Sequence, residues 1–226
     1  MNSTWEASHE GSTGGRQPVV VIGAGGHAKV VVETIRATGK FDVIGLVDRH
    51  PGQCHAIDAP MLGNDDILEK LRGSGIAGAV IALGDNSLRQ RMGGRLIALN
   101  FFLPAIVHPS AFVSPSAQIG AGAVVMARAV IGTQTQIGEL AIVNTGAVID
   151  HDNKVGAAAH VAPGCALAGN VKIGARVLIG IGSAVRPDIV IGDDAIVGAG
   201  SAVVSDVTAG TTVVGVPARP LARTAG

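Results

Sequence analysis

The chain has 226 residues, 17 basic against 17 acidic side chains, 47% hydrophobic residues, 33 glycines, 2% aromatics and no tyrosine. The balanced charge excludes the basic footprint of a nucleic-acid binder or an anionic-membrane binder. Two cysteines, Cys54 and Cys165, exclude a disulfide framework. No apolar stretch reaches the roughly 18 residues of a membrane span without a glycine or a charge interrupting it.

In chain order, residues 1–17 carry the Ser/Gly/Thr-biased stretch MNSTWEASHEGSTGG. It lacks the basic start and apolar run of a signal peptide and reads as a disordered arm. A soluble, cytoplasmic protein is expected. Residues 18–106 alternate between two periodicities. PVVVIGAGG reads as a strand entering a glycine-rich turn, HAKVVVETIRATG as a helix and FDVIGLVD as a second strand. DDILEKLRGSG then reads as a helix, AGAVIAL as a third strand and NSLRQRMGGRLIAL as a helix. The alternation implies a small parallel α/β sheet.

The turn Gly23-Ala24-Gly25-Gly26-His27-Ala28 has the G-x-G-x-x-A form that lets backbone amides approach a pyrophosphate at a helix N-terminus. Asp48 closes the second strand, where a carboxylate accepts from ribose hydroxyls. Fewer than 90 residues are half a dinucleotide domain, so a nucleotide diphosphate joined to another group fits better than NAD. Gly84, Asp85 and Asn86 follow the third strand at the carboxyl edge of the sheet, and Arg89 is placed to neutralise a phosphate. Helix capping is the alternative role for Asp85 and Asn86.

From Val107 to Val203 an aliphatic residue recurs at every sixth position, 17 times in succession. A helix repeats at 3.6 residues and an open strand at 2, so the step fits a solenoid of short strands and corners over residues 107–215, with a tail at 216–226. Four positions after each aliphatic residue stands a small or β-branched one, as at Ala111, Ala129 and Thr135, with Asn153 the polar exception. Three hexads make one triangular coil with aliphatic side chains stacked inside, and glycine suits its tight corners.

His151 occupies the third place of its hexad, in Ile149-Asp150-His151-Asp152-Asn153. Flanking carboxylates favour the charged imidazole and hold its tautomer, as a general base near neutral pH requires. One coil is 18 residues, so Gly169 falls beneath His151, and its amide is a candidate oxyanion donor. His160 lies half a coil from His151. The two must face different sides of one chain, and they share a pocket only if a second solenoid lies alongside; His160 is then expected to bind or orient the cofactor, with a structural role as the alternative. No Cys/His cluster has the spacing of a metal site, and no metal is expected. Cys165 sits in the inward column and reads as core.

GAGGHAKVV, the LGDN stretch with Arg89, and IVNTGAVIDHDNKVGAAAHVAPGCALAGNVKIG together resemble the sialic-acid- and bacillosamine-type sugar acetyltransferases of bacterial glycan biosynthesis. The resemblance runs from about residue 18 to Arg219. It implies an α/β Rossmann-like half-domain followed by a left-handed parallel β-helix. It also implies acetyl-CoA as co-substrate, a homotrimer, and an acceptor that is a nucleotide-linked 4-amino-4,6-dideoxy sugar of the GDP-perosamine or UDP-bacillosamine-precursor kind. It makes His151 the catalytic base with Asp152 as its partner, and puts Asn144 and His160 at the active site. It puts Gly25, Gly26, His27, Asp48, Asp85 and Asn86 on the nucleotide sugar, and Gly169, Ile181 and Ala199 along the CoA groove. Rival readings are a sialic-acid-type O-acetyltransferase and a non-catalytic nucleotide-sugar binder.

Overall fold

The computed structural model describes residues 15–50 and 58–221. Most of the expected N-terminal arm, together with Cys54 and the end of the tail, lies outside them. In the first region, β1 (Gln17–Ile22), β2 (Phe41–Val47), β3 (Met61–Gly63) and β4 (Gly78–Ile81) form one parallel sheet in the order β3-β2-β1-β4. β3 is a three-residue strand that the apolar pattern does not announce. Helix α1 (Gly26–Thr38) covers one side of the sheet, burying Ala28, Val31, Val32 and Ile35. α2 (Leu68–Gly73) and α3 (Asn86–Ala98) cover the other, with Leu68, Met92 and Leu96 buried against Val20, Ile22 and Ile81.

From Ile106 onward the chain forms two-residue strands at every sixth position, each paired in parallel with the strand 18 residues away. Three faces result. The first runs through Val124–Val125, Ile142–Val143 and His160–Val161, the second through Val130–Ile131, Val148–Ile149 and Ala166–Leu167, and the third through Gln136–Ile137, Lys154–Val155 and Lys172–Ile173. The recurring aliphatic residues point inward and form one continuous core with the small residues of the fifth place.

The corners carry a division of labour finer than tight-turn glycine. From Gly122 to Gly200 the fourth residue of each hexad adopts φ near +60°, as at Asp152 (59°), Asn170 (57°) and Gly182 (68°). The glycines at the second place serve close approach instead. A Cβ on Gly156 would lie 2.4 Å from the backbone carbon of Gly174 in the next coil.

The α/β region lies on the first face. The outward residues Ile106, Val124 and Ile142 are at most 1% exposed, and Met126 packs with α1. The outward residues of the second face remain open, with Phe112 at 61% and Val148 at 41%. Beyond the last coil the expected tail is partly structured: Arg219–Pro220 returns as an antiparallel strand against Thr212–Val214.

Candidate active site

The sequence-expected residues fall into three groups on this frame. At the edge between the second and third faces, His151 follows the strand Val148–Ile149 and Asp152 takes the left-handed corner position. The His151 Nδ1 lies 2.8 Å from Asp152 Oδ2, and the backbone amide of His151 donates to Asp150 Oδ1. This imidazole is exposed, and the hydrogen bond to Asp152, reinforced by the charge of Asp150, raises its pKa above the usual 6.5. The ring stands over Gly169, where an added Cβ would lie 2.4 Å from its Cε1 and 2.6 Å from its Nε2. The two coils are joined there by the Asn170 amide donating to the His151 carbonyl at 3.0 Å. The Gly169 amide has no acceptor among the described residues.

A second group gathers where the α/β region meets the first face. His160 Nε2 lies 3.0 Å from Asn144 Nδ2. Asn144 Oδ1 accepts from the Thr145 amide, so its Nδ2 is the donor and His160 Nε2 presents a lone pair. The His27 ring sits 6.2 Å from the His160 ring, and its Nε2 is buried with no partner among the described residues. Burial first, then the charge of Arg89, lowers both histidines to about 4. Both are neutral at pH 7.

His160 therefore meets the α/β region within one chain, a contact that the hexad spacing does not reveal. His151 is carried by a different edge.

Arg89 is not the phosphate ligand that its place after the third strand suggests. It is 1% exposed, and its guanidinium donates to the carbonyls of Leu83, Gly84, Leu140, Ala158 and Ala159 and to Asn86 Oδ1. Asn86 in turn donates to the Arg176 and Val177 carbonyls. These two side chains bracket α3 to the solenoid. Burial lowers the Arg89 pKa to about 10, with Asp85 opposing, so it stays charged at neutral pH.

Asp85 caps α3, accepting from the Leu88 amide at 2.7 Å. Asp48 Oδ2 accepts from the Ala24 amide at 2.8 Å and Oδ1 from the His50 amide at 2.8 Å, so this carboxylate shapes the glycine turn. Gly25 is the N-cap of α1, and both it and Gly26 are exposed with open space around them, leaving the first amides of the helix reachable.

A third group, Ile181 and Ala199, lies on the edge between the first and second faces, the edge that also holds Asn144. Ile181 is 57% exposed, and neither residue's amide has an acceptor among the described residues. Among the described residues no cluster of His, Cys, Asp or Glu could hold a metal ion. Cys165 is buried as expected, and burial pushes its thiol pKa up.

A parallel hexad coil that carries a His–Asp pair over a glycine, preceded by a nucleotide-type α/β sheet, is a hexapeptide-repeat acyltransferase with a left-handed β-helix. Residues 18–96 match the PglD N-terminal domain family, and residues 170–204 match the bacterial transferase hexapeptide (six repeats) family. The crystal structure of PerB from Caulobacter crescentus, in complex with CoA and GDP-perosamine, is 45% identical. It covers 93% of this chain and 99% of its own, with a TM-score of 0.87. The acetyltransferase domain of PglB from Neisseria gonorrhoeae FA1090, in complex with acetyl coenzyme A, is 40% identical over 92% of this chain and 100% of its own, also with a TM-score of 0.87.

Among curated proteins, the UDP-N-acetylbacillosamine N-acetyltransferase of Bacillus subtilis (strain 168) is 37% identical over 121 residues, 48% of this chain. That match spans about half, 51%, of the curated relative's length. The chain belongs to the family of these sugar N-acetyltransferases.

Proposed function

We propose that the protein transfers an acetyl group from acetyl-CoA to the C4 amine of a nucleotide-linked 4-amino-4,6-dideoxy sugar. The observation that carries this reading is the His151–Asp152 pair standing directly over Gly169. In its neutral form His151 accepts a proton from the amine as that amine attacks the thioester carbonyl. Asp152 steadies the imidazolium that results, and the Gly169 amide donates to the developing oxyanion. The first amides of α1 receive the diphosphate. Ile181 and Ala199 offer backbone amides to the amide-rich arm of CoA.

The acceptor proposed is GDP-perosamine-like, because PerB crystallised with GDP-perosamine and CoA shares 45% identity. A UDP-linked bacillosamine precursor is the alternative nucleotide sugar. No helix among the described residues is long and apolar enough to cross a membrane. We place the reaction in the cytoplasm, where acetyl-CoA and nucleotide sugars are made.

The groups on separate edges point to a homotrimer. His151 and Gly169 border the second face on one side; Asn144, Ile181 and Ala199 border it on the other. The outward column between them is apolar, running Phe112, Val130, Val148, Ala166, Ala184, Ala202, whereas the third face shows Gln118, Gln136, Lys154 and Lys172. Burying second faces about a threefold axis brings the His151 edge of one copy to the CoA edge of the next.

The test is release of free CoA thiol on mixing purified protein with acetyl-CoA and GDP- or UDP-linked 4-amino sugars. Stoichiometric N-acetyl product is expected. Product from a hydroxyl-bearing sialic acid alone would replace this reading with O-acetylation, and binding without thiol release would make the protein a non-catalytic binder.

A further inference from the structure

Inside the coil the fifth place of a hexad is mostly alanine or valine, yet Asn153 is fully buried there. A buried amide must satisfy its own polar atoms, and this one does so by entering a turn one coil away. Its Nδ2 donates to the Ala168 carbonyl at 2.9 Å, and its Oδ1 accepts from the Val171 amide at 3.2 Å. In an ordinary corner these two backbone groups bond each other, as the Ala141 amide does to the Gly138 carbonyl at 3.3 Å. At residues 168–171 that bond is absent and Asn153 takes both partners. The same Nδ2 reaches the Asp150 carbonyl at 2.9 Å and the His151 carbonyl at 3.1 Å. One side chain therefore grips the peptides beside both His151 and Gly169.

Planarity of the trans peptide supplies the consequence. The carbonyl of residue 168 and the amide of residue 169 belong to one rigid unit and point in opposite directions. With the carbonyl held toward the interior, the Gly169 amide faces outward at the corner that bears the His151 ring. We propose that Asn153 is a positioning residue for acetyl transfer, aiming the Gly169 amide by anchoring the carbonyl behind it. This rests on the reading of Gly169 as oxyanion donor.

The pattern recurs at three further corners, two of which, at Ile181 and Ala199, carry amides proposed to face CoA, while the His151 amide is taken by Asp150 Oδ1. Thr135 Oγ1 donates to the Asp150 carbonyl at 2.6 Å, behind the His151 amide. Cys165 Sγ donates to the Gly180 carbonyl at 3.1 Å, behind the Ile181 amide. Ser183 Oγ donates to the Gly198 carbonyl at 3.0 Å, behind the Ala199 amide. In each case the donor lies 15 residues before the carbonyl it holds. Asn153, Cys165 and Ser183 thus stand behind the amides proposed to meet oxyanion or CoA, whereas Ser201 in the same column accepts from the Gly215 amide instead.

Crystal structures and steady-state kinetics of Asn153→Ala and Asn153→Ser test this. In Asn153→Ala the Ala168 carbonyl loses the donor that anchors it, and the 168–169 peptide is expected to rotate, turning the Gly169 amide away from the His151 ring. Its kcat should fall roughly 10- to 100-fold, somewhat less than outright loss of an oxyanion donor costs. Both KM values should stay within about threefold, and the pH midpoint set by His151 should not move. Asn153→Ser, which can donate as Ser183 does, should recover much of the lost rate. An unchanged 168–169 peptide in either the alanine variant or, should that variant not fold, a serine variant that lacks the bond to Ala168 would overturn the proposal, as would full kcat in a folded variant with the peptide turned. The structural arm holds whatever the enzyme acetylates, so failure of the wild-type protein to acetylate an amino sugar would count against the proposed function alone.

Discussion

His151 and the pair His27–His160 are the same side chain in opposite surroundings. The first is exposed on a corner between carboxylates, which favour its charged form. The others sit in the domain junction beside a buried guanidinium, which disfavours it. Under the proposed function, the difference would separate proton transfer from recognition by place as well as by residue. An imidazole that must gain and lose a proton stays where water and carboxylates support its charge. The two junction imidazoles are kept neutral by burial and by the Arg89 charge.

The largest expected effect falls on the exposed member. His151→Asn should lower kcat by roughly 10²–10⁴, the range of general-base assistance, with nucleotide-sugar binding retained in calorimetric titration. Near-normal turnover would move the base elsewhere. On the buried side, Arg89→Met strips the charge that spans α3 and two coils and leaves its carbonyl partners unsatisfied. A loss of about 3–5 kcal/mol in denaturant unfolding is expected, and a loss near zero would remove Arg89 from the junction's support.

Smaller effects sharpen the contrast through pH. Because Asp152 raises the His151 pKa, kcat/KM should rise with pH through a midpoint above 6.5, as the imidazolium loses its proton. Asp152→Asn should move that midpoint to lower pH and reduce the rate about tenfold, since the positive charge formed in the reaction loses its partner. A midpoint that stays in place would break the assignment of the pair. The junction histidines are shifted the other way. His27 and His160 titrate near 4 in the folded chain and near 6.5 unfolded, so the unfolded state binds more protons between those values. Stability is therefore full above about 6.5 and declines as pH falls toward 4, by at most about 1.4 kcal/mol per pH unit for each histidine. Thermal melts of His27→Gln should show a shallower decline over that window; an unaltered slope would exclude His27 as a source.

The solenoid was legible because its period is set by coil geometry and repeats without a slip from Val107 to Val203. His151 over Gly169 follows from the same 18-residue coil. The junction was less legible, because which face the α/β region covers is a tertiary choice. The sixth place of each hexad carries part of a signal, excluding the third face without choosing between the first and the equally apolar second. Every third one is apolar at Ile106, Val124 and Ile142, while another series reads Gln118, Gln136, Lys154, Lys172. Arg89 misled because a cation after a strand's carboxyl edge serves a phosphate or a carbonyl cluster equally well, and only burial decides between them. Asp48 and Asp85 were legible as acceptors, although the acceptance seen goes to the backbone amides of Ala24, His50 and Leu88.

The idea that the two regions act together across copies is tested most directly by mixing two inactive variants. His151→Asn disables one edge and His160→Ala the other, and each alone should be nearly inactive as a homotrimer. Co-assembled in equal amounts, they should regain about a quarter of wild-type turnover per site, since in a cyclic trimer roughly one interface in four pairs an intact His151 with an intact His160. Activity of the mixture no greater than that of its parents would contradict a site shared between copies.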